Sequence, residues 1–177
     1  LIKNKHWSPL EMVHVSMEIK TTRDIARQIL RHRSFSFQEY SQRYADPTRD
    51  LGFVRREARL QDRKNRQNSV EMEDEKLSEE WNVVQAQVIN TAKEAYNWAV
   101  KNGIAKEQAR ALLPEGLTMS RLYMNGNIRS WIFYLKQRLD PSTQREHRDV
   151  ACQILKDLGV IAPVTMKAFF NDVPNNN

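Results

Sequence analysis

Between Val13 and Ile19 the apolar residues Val13, Val15, Met17 and Ile19 alternate with His14, Ser16 and Glu18, the period of two expected of a half-buried strand. Thr21 and Thr22 then stand where they can cap a helix whose Ile25, Ala26, Ile29 and Leu30 recur at helical spacing and which ends near residues 31–33. Residues 34–44 hold neither period and read as a polar loop with aromatic anchors, and Pro47 and Gly52 mark a turn. From Ser78 to Asn102 the positions Trp81, Val84, Val88, Ala92, Ala95 and Ala99 repeat every three or four residues, predicting the longest helix, with Gly103 as its stop.

A shorter helix from Lys106 to Leu113 stops at Pro114, and Leu117 to Met124 reads as a strand. Asn125, Gly126 and Asn127 predict a turn before a helix carrying Ile128, Trp131, Ile132 and Leu135. Thr143 and Glu146 have capping-box spacing at the head of a helix through Leu158, Ala162 to Phe170 is a short final helix, and Asn175 to Asn177 read as a disordered tail. Helices dominate with a few strands, so the expected class is α+β, one domain over residues 1–177, without internal repeats.

Composition narrows the partners. The 177 residues are 40% hydrophobic, enough for a modest core, and no window reaches the roughly 18 uninterrupted apolar residues of a spanning helix. The start, Leu1 to His6, lacks the apolar stretch of a signal peptide and reads as trimmed, so a soluble, cytoplasmic protein without membrane attachment is expected. A single cysteine, Cys152, and four scattered histidines give no disulfide and no metal-ligand spacing. The net charge of +6 is uneven: residues 49–66 form a basic loop, extending to about residue 70, and an acidic run at 71–80 follows it. Two readings stay open for that loop, a self-compensating solvated segment or a site for a polyanion. The 28 cations comprise 17 Arg and 11 Lys, a bias towards forked donors that suit phosphate and carboxylate.

Chemistry concentrates after the first helix. Arg27 and Arg31 stand four residues apart, a repulsion of a few tenths of a kcal/mol on a helix unless an anion relieves it. Arg31, His32, Arg33, Ser36, Gln38, Glu39, Ser41 and Arg43 then fall within 13 residues, offering cations and hydroxyls for phosphate and a carboxylate for a ribose hydroxyl. Neither a P-loop nor a dinucleotide-binding glycine turn occurs.

The run Arg31 to Arg43, RHRSFSFQEYSQR, resembles the RHRxxSxNxxSxR signature of the flavin-dependent thymidylate synthases, with Gln38 where Asn is usual. His6 to Glu11 is similar to the upstream HxS/TPxE element of that family, and Arg27 and Gln28 precede the signature at the expected distance. Ala109, Arg110, Leu113 and Pro114 resemble its ARxxLP element, Asn127, Arg129 and Arg138 its NxRxxxxxxxxR pattern, and Gln61 to Gln67 its basic loop. Phe133 departs from the polar residue usual at its position.

The resemblance implies a homotetramer with active sites at subunit interfaces, built on a helix-rich domain with a small antiparallel sheet. It implies methylation of dUMP to dTMP, with 5,10-methylenetetrahydrofolate as carbon donor and NADPH as reductant through bound FAD. The flavin would be held by Ser8, Arg31, His32, Arg33, Glu39, Asn127 and Arg129, with Glu11 nearby, and dUMP by Gln28, Arg31, Glu39, Tyr40, Ser41, Gln42, Arg43, Arg110 and Arg138. Arg43 and Arg110, helped by Ser41, are then the phosphate candidates. Arg138 becomes the catalytic candidate, stabilising negative charge on the uracil ring. His6, His32 and Tyr44 are expected to border the flavin and folate region; of the alternative nucleophiles, Cys152 sits in a helix beside Val150, Ala151, Ile154 and Leu155 with no nearby signature, and Ser41 lacks a clear neighbouring base. Two other readings remain: a family member that binds FAD without turnover, and a basic nucleic-acid-binding module using residues 49–66.

Overall fold

The computed structural model describes residue 4 and residues 6–170; the Asn175 to Asn177 tail lies outside the described residues. The strands are β1 (His14–Thr22), β2 (Ser36–Glu39), β3 (Arg59–Gln61), β4 (Ser69–Glu71) and β5 (Met119–Asn127). The helices are α1 (Arg23–Ile29), α2 (Pro47–Asp50), α3 (Glu75–Lys101), α4 (Lys106–Ala109), α5 (Ile128–Arg138), α6 (Arg145–Ile161) and α7 (Pro163–Phe169). The class is α+β with helices dominating. A three-stranded sheet has the order β1-β5-β2, and β3 and β4 form a separate antiparallel hairpin. β5 runs antiparallel to β1: Ile128 N donates to Val13 O, Asn125 Nδ2 to Ser16 Oγ, and Tyr123 OH to Glu18, so one strand descends as the other climbs.

The described residues divide into two compact units, the first drawn from 6–19, 28–37 and 123–170 and the second from 20–27 and 38–122. In the first, α5 packs on α6 and α6 on α7. Trp131, Ile132 and Leu135 are fully buried there, at the helical spacing read from the sequence, and so are Ala151, Leu158 and Met166. In the second, Tyr96 and Ala99 of α3 pack on Ala109 and Leu113, with Phe53 and Val100 at the edge.

Several sequence expectations shift. Residues 34–44 are not all loop, because Ser36–Glu39 pair as β2, a strand too short for its alternation to be read. Asn125 to Asn127 continue β5 instead of turning. The Asn125 side chain is held by Ser16, Gly126 lies under Phe35, where an added Cβ would come within 3.0 Å of the ring, and Asn127 caps α5 by accepting the Ser130 N–H at 2.8 Å. The helix from Lys106 changes to a 3-10 turn at Arg110–Leu112 as Pro114 approaches. The Thr143 capping box does not form, since Thr143 Oγ1 donates to Gln137 O and Gln144, at the cap position, makes no side-chain bond to the helix backbone. α1 ends at Ile29, so Arg31 lies beyond it, and Arg27 is relieved by an ion pair with Glu115.

The inward face of α3 is also rotated from the expected one. Gln85, Ala92, Tyr96 and Ala99 are buried, while Val84 and Val88 are 49% and 44% exposed. Buried Gln85 replaces an apolar contact with two hydrogen bonds that clamp the basic segment: Arg56 N donates to its Oε1, and its Nε2 donates to Arg56 O. The Arg56 guanidinium reaches Asp24 and Thr22 Oγ1, and Arg59 stands opposite Glu71 across the hairpin, so part of the basic loop is neutralised within the unit.

Candidate active site

In the first unit the site grows from α5. Asn127 caps it, Arg129 projects from its first turn and Arg138 from its last, so the NxR and distal Arg of the motif are one helix seen from end to end. Arg129 forms an ion pair with Glu11, which ends the short 3-10 turn Ser8–Glu11, and its guanidinium also lies 5.8 Å from the Phe133 ring centroid. Ser8 is exposed on that turn. Glu11, Ser34, Asn127, Arg129, Ser130 and Phe133 line a cavity of about 360 Å³. Phe133 turns a half-exposed ring to it, with Trp7 behind at 5.4 Å between centroids.

Arg138 Nε donates to His32 Nε2 at 2.9 Å, which requires an unprotonated Nε2 and places the ring proton on Nδ1. The surroundings enforce that state: burial first, then the Arg138 and Arg31 charges, lower the His32 pKa to about 4. Burial also lowers the Arg138 pKa, with Tyr134 opposing the shift and Arg31 adding to it. The His32 ring meets Tyr134 edge-on at 4.8 Å. Arg31 and Arg33 flank His32 on the turn after α1, both exposed. Gln28, half-buried, accepts from His147 Nδ1 at 3.2 Å and donates to Gln144 Oε1 at 2.8 Å.

In the second unit a different group assembles at the end of β2. Glu39 accepts a hydrogen bond from Ser120 Oγ at 2.8 Å and lies 3.6 Å from Arg23 Nη1. Tyr40 donates its hydroxyl to Asp50 at 2.6 Å while the Arg121 guanidinium lies 5.8 Å from its ring centroid; burial and then Asp50 push the phenol pKa up. Ser41 Oγ accepts from Arg43 N, and Arg43 Nε reaches Glu107 Oε2 at 3.3 Å. Arg110 Nε donates to Glu107 O at 3.2 Å, so Arg43 and Arg110, 67 positions apart in the chain, converge on one residue, and both are exposed. Gln42 is buried, and its Nε2 has no hydrogen-bond partner among the described residues.

The candidates thus fall into two groups. Ser8, Gln28, Arg31, His32, Arg33, Asn127, Arg129 and Arg138 belong to the first unit, and Glu39, Tyr40, Ser41, Gln42, Arg43 and Arg110 to the second. His6 is exposed; Tyr44 is 79% exposed, and its carbonyl accepts from Lys106. Cys152 is half-buried on α6, and Ser41 Oγ is engaged by a backbone amide. Sequence reasoning missed Tyr134, His147 and Gln144, and also Arg23, Ser120 and Glu107. Tyr134 was readable, three positions after Trp131 on the buried stripe of α5; His147 carried no local signal.

Among the described residues there is no group of three or more metal-ligating side chains, and no helix is long and apolar enough to cross a membrane. The sequence profile of the family described as thymidylate synthase complementing protein matches residues 1–164, and the chain belongs to that family. It is 51% identical over 150 residues to the flavin-dependent thymidylate synthase of a Synechocystis strain, which covers 85% of this chain and 68% of that protein. It is 47% identical, with the same coverage, to the probable flavin-dependent thymidylate synthase of Paramecium bursaria Chlorella virus 1. Among solved structures it is similar to the UMP/dUMP methylase PolB of Streptomyces cacaoi bound with 5-Br UMP, with a TM-score of 0.83 and 28% identity over 98% of this chain and 82% of that one.

Proposed function

We propose that this chain is a flavin-dependent thymidylate synthase that methylates dUMP to dTMP, with bound FAD, 5,10-methylenetetrahydrofolate as carbon donor and NADPH as reductant, in the cytoplasm. The observation that carries the reading is the construction of α5: one capped helix holds Asn127, Arg129 and Arg138, the first two at the rim of a cavity and the third against a neutral histidine. The cavity chemistry fits a flavin dinucleotide, with a guanidinium, an amide and two hydroxyls for phosphate and sugar and the Phe133 face for a ring. Its 360 Å³ lies at the low end of the roughly 300–1,000 Å³ of small-molecule sites, so one chain gives such a ligand only part of its walls.

That shortfall supports the homotetramer. So does α3, where Leu77, Trp81, Val84 and Val88 are each more than 40% exposed at the spacing of a helix-pairing seam. A second copy is the occupant this reading assigns to that face, with neighbouring chains completing each pocket.

FAD, when bound, supplies the hydride that the transferred carbon requires. This chain's own residues bind and polarise. Arg43, Arg110 and the Ser41 hydroxyl hold the nucleotide phosphate, and Gln42 offers a buried donor without an acceptor among the described residues. Glu39, fixed by Ser120 and Arg23, accepts from a sugar hydroxyl. Arg138 lies where burial strengthens its field. It stabilises the negative charge that appears on the uracil ring when N3 loses its proton, which enriches C5 as the carbon nucleophile. His32 takes no proton near neutrality, so its role is to aim Arg138.

The test is anaerobic reduction of the FAD-reconstituted protein by NADPH with and without dUMP, followed by addition of methylenetetrahydrofolate. Bleaching of a flavin band, faster with dUMP, and then dTMP are the expected results. A flavin band that bleaches without any dTMP would replace this reading by a flavin-binding member without turnover.

A further inference from the structure

Behind Gln28 lies a line of hydrogen bonds whose direction is set from one end. Gln144 Nε2 donates to Glu146 Oε2 at 2.9 Å; because a carboxylate only accepts, the Gln144 amide must turn its oxygen the other way. That oxygen accepts from Gln28 Nε2 at 2.8 Å, so Gln28 turns its Oε1 towards His147 Nδ1 at 3.2 Å. Oε1 cannot donate, so the His147 proton sits on Nδ1, and Nε2 accepts from the Tyr134 hydroxyl at 3.1 Å. The geometry points to His147 as a positioning residue: with Gln144 it holds the Gln28 carboxamide at both ends in the orientation that Glu146 sets, and so fixes which atom, N–H or oxygen, Gln28 presents to the nucleotide. The inference rests on the proposed function, in which Gln28 faces dUMP.

Two further observations fit this role. His147 is fully buried on the first turn of α6 and packs 5.9 Å from the Tyr134 ring, so its own rotation is blocked. Burial, then Arg138 and His32, lower its pKa to about 4, so the lone pair on Nε2 persists through the neutral range. An amide free to flip presents two faces to a ligand, whereas a locked one presents a single donor and acceptor arrangement and loses less on binding.

Two isosteric replacements separate this role from packing. In His147→Asn the Nδ2 amide occupies the place of Nδ1 and still donates to Gln28, but the contact to Tyr134 is lost. In His147→Gln the terminal amide occupies the place of Nε2, which keeps Tyr134 and loses Gln28. Steady-state kinetics of the FAD-loaded enzyme, with melting temperature as a check on folding, should give His147→Asn a dUMP KM close to wild type. His147→Gln should raise that KM roughly three- to tenfold, the range of one neutral hydrogen bond, with kcat retained. Should His147→Gln fail to fold, Gln144→Leu frees the other end of Gln28 and gives the same rise. Equal KM for the Asn and Gln variants, or an unchanged KM in Gln144→Leu, overturns the inference and leaves the proposed function standing. A wild-type holoenzyme that neither binds nor turns over dUMP overturns both.

Discussion

Arg138 and Arg110 are the same residue type in opposite circumstances. Arg138 sits in a half-buried setting of aromatic rings and two neutral histidines, its Nε committed to His32. Arg110 is exposed, its Nε resting on a main-chain carbonyl beside the Arg43–Glu107 pair. An ion pair like Arg43–Glu107 at the surface is worth about 0–1 kcal/mol, so an incoming phosphate displaces Glu107 at little cost. Burial around Arg138 works differently, because desolvation and fixed geometry let one guanidinium act strongly on charge that develops only during reaction. The first region is built to polarise, the second to capture.

The largest expected effect breaks the first half of that contrast. Arg138→Ala should lower dTMP formation by at least about a hundredfold, the scale for removing one preorganised electrostatic donor, while the flavin absorbance and melting temperature of the holoenzyme persist. Turnover near wild type would take Arg138 out of the chemistry.

A smaller effect follows from the two histidines. Both pKa values fall from 6.5 to about 4 on folding, so between those values the unfolded chain binds more protons than the folded one. Their stabilising contribution is therefore complete above pH 6.5 and is lost as the pH falls towards 4. Melting temperature should decline across that window, and the paired variant His32→Gln with His147→Asn should flatten the decline. A decline equally steep in the paired variant would assign it to carboxylates elsewhere. The smallest effect belongs to Cys152, half-buried on α6 and a member of neither group; Cys152→Ala should keep most of the activity, and a folded but inactive variant would restore a thiolate route.

The same contrast explains what the sequence disclosed. The long signature around His32 and Glu39 and the motif on α5 were legible because their chemistry is carried by residue types at fixed spacing. The helices of the first unit were legible because Trp131, Ile132 and Leu135 keep the helical period through a buried face. Asn125 to Asn127 misled because their turn-forming side chains are spent on a partner strand, a close ring and a helix cap, none of them local in sequence. α3 misled because polar Gln85 is buried for its hydrogen bonds while Val84 and Val88 stay exposed. The convergence of Arg43 and Arg110 on Glu107, and the line from Glu146 to Tyr134, depend on contacts that no periodicity encodes.

The most direct test of the division between polarising and capturing regions is calorimetric binding of dUMP and of deoxyuridine, which lacks the phosphate, to wild-type, Arg110→Ala and Arg138→Ala holoenzyme. If Arg110 captures phosphate, its loss weakens dUMP about tenfold or more and leaves deoxyuridine unchanged, whereas Arg138→Ala shifts both ligands alike. Equal weakening of dUMP and deoxyuridine in Arg110→Ala would contradict the account.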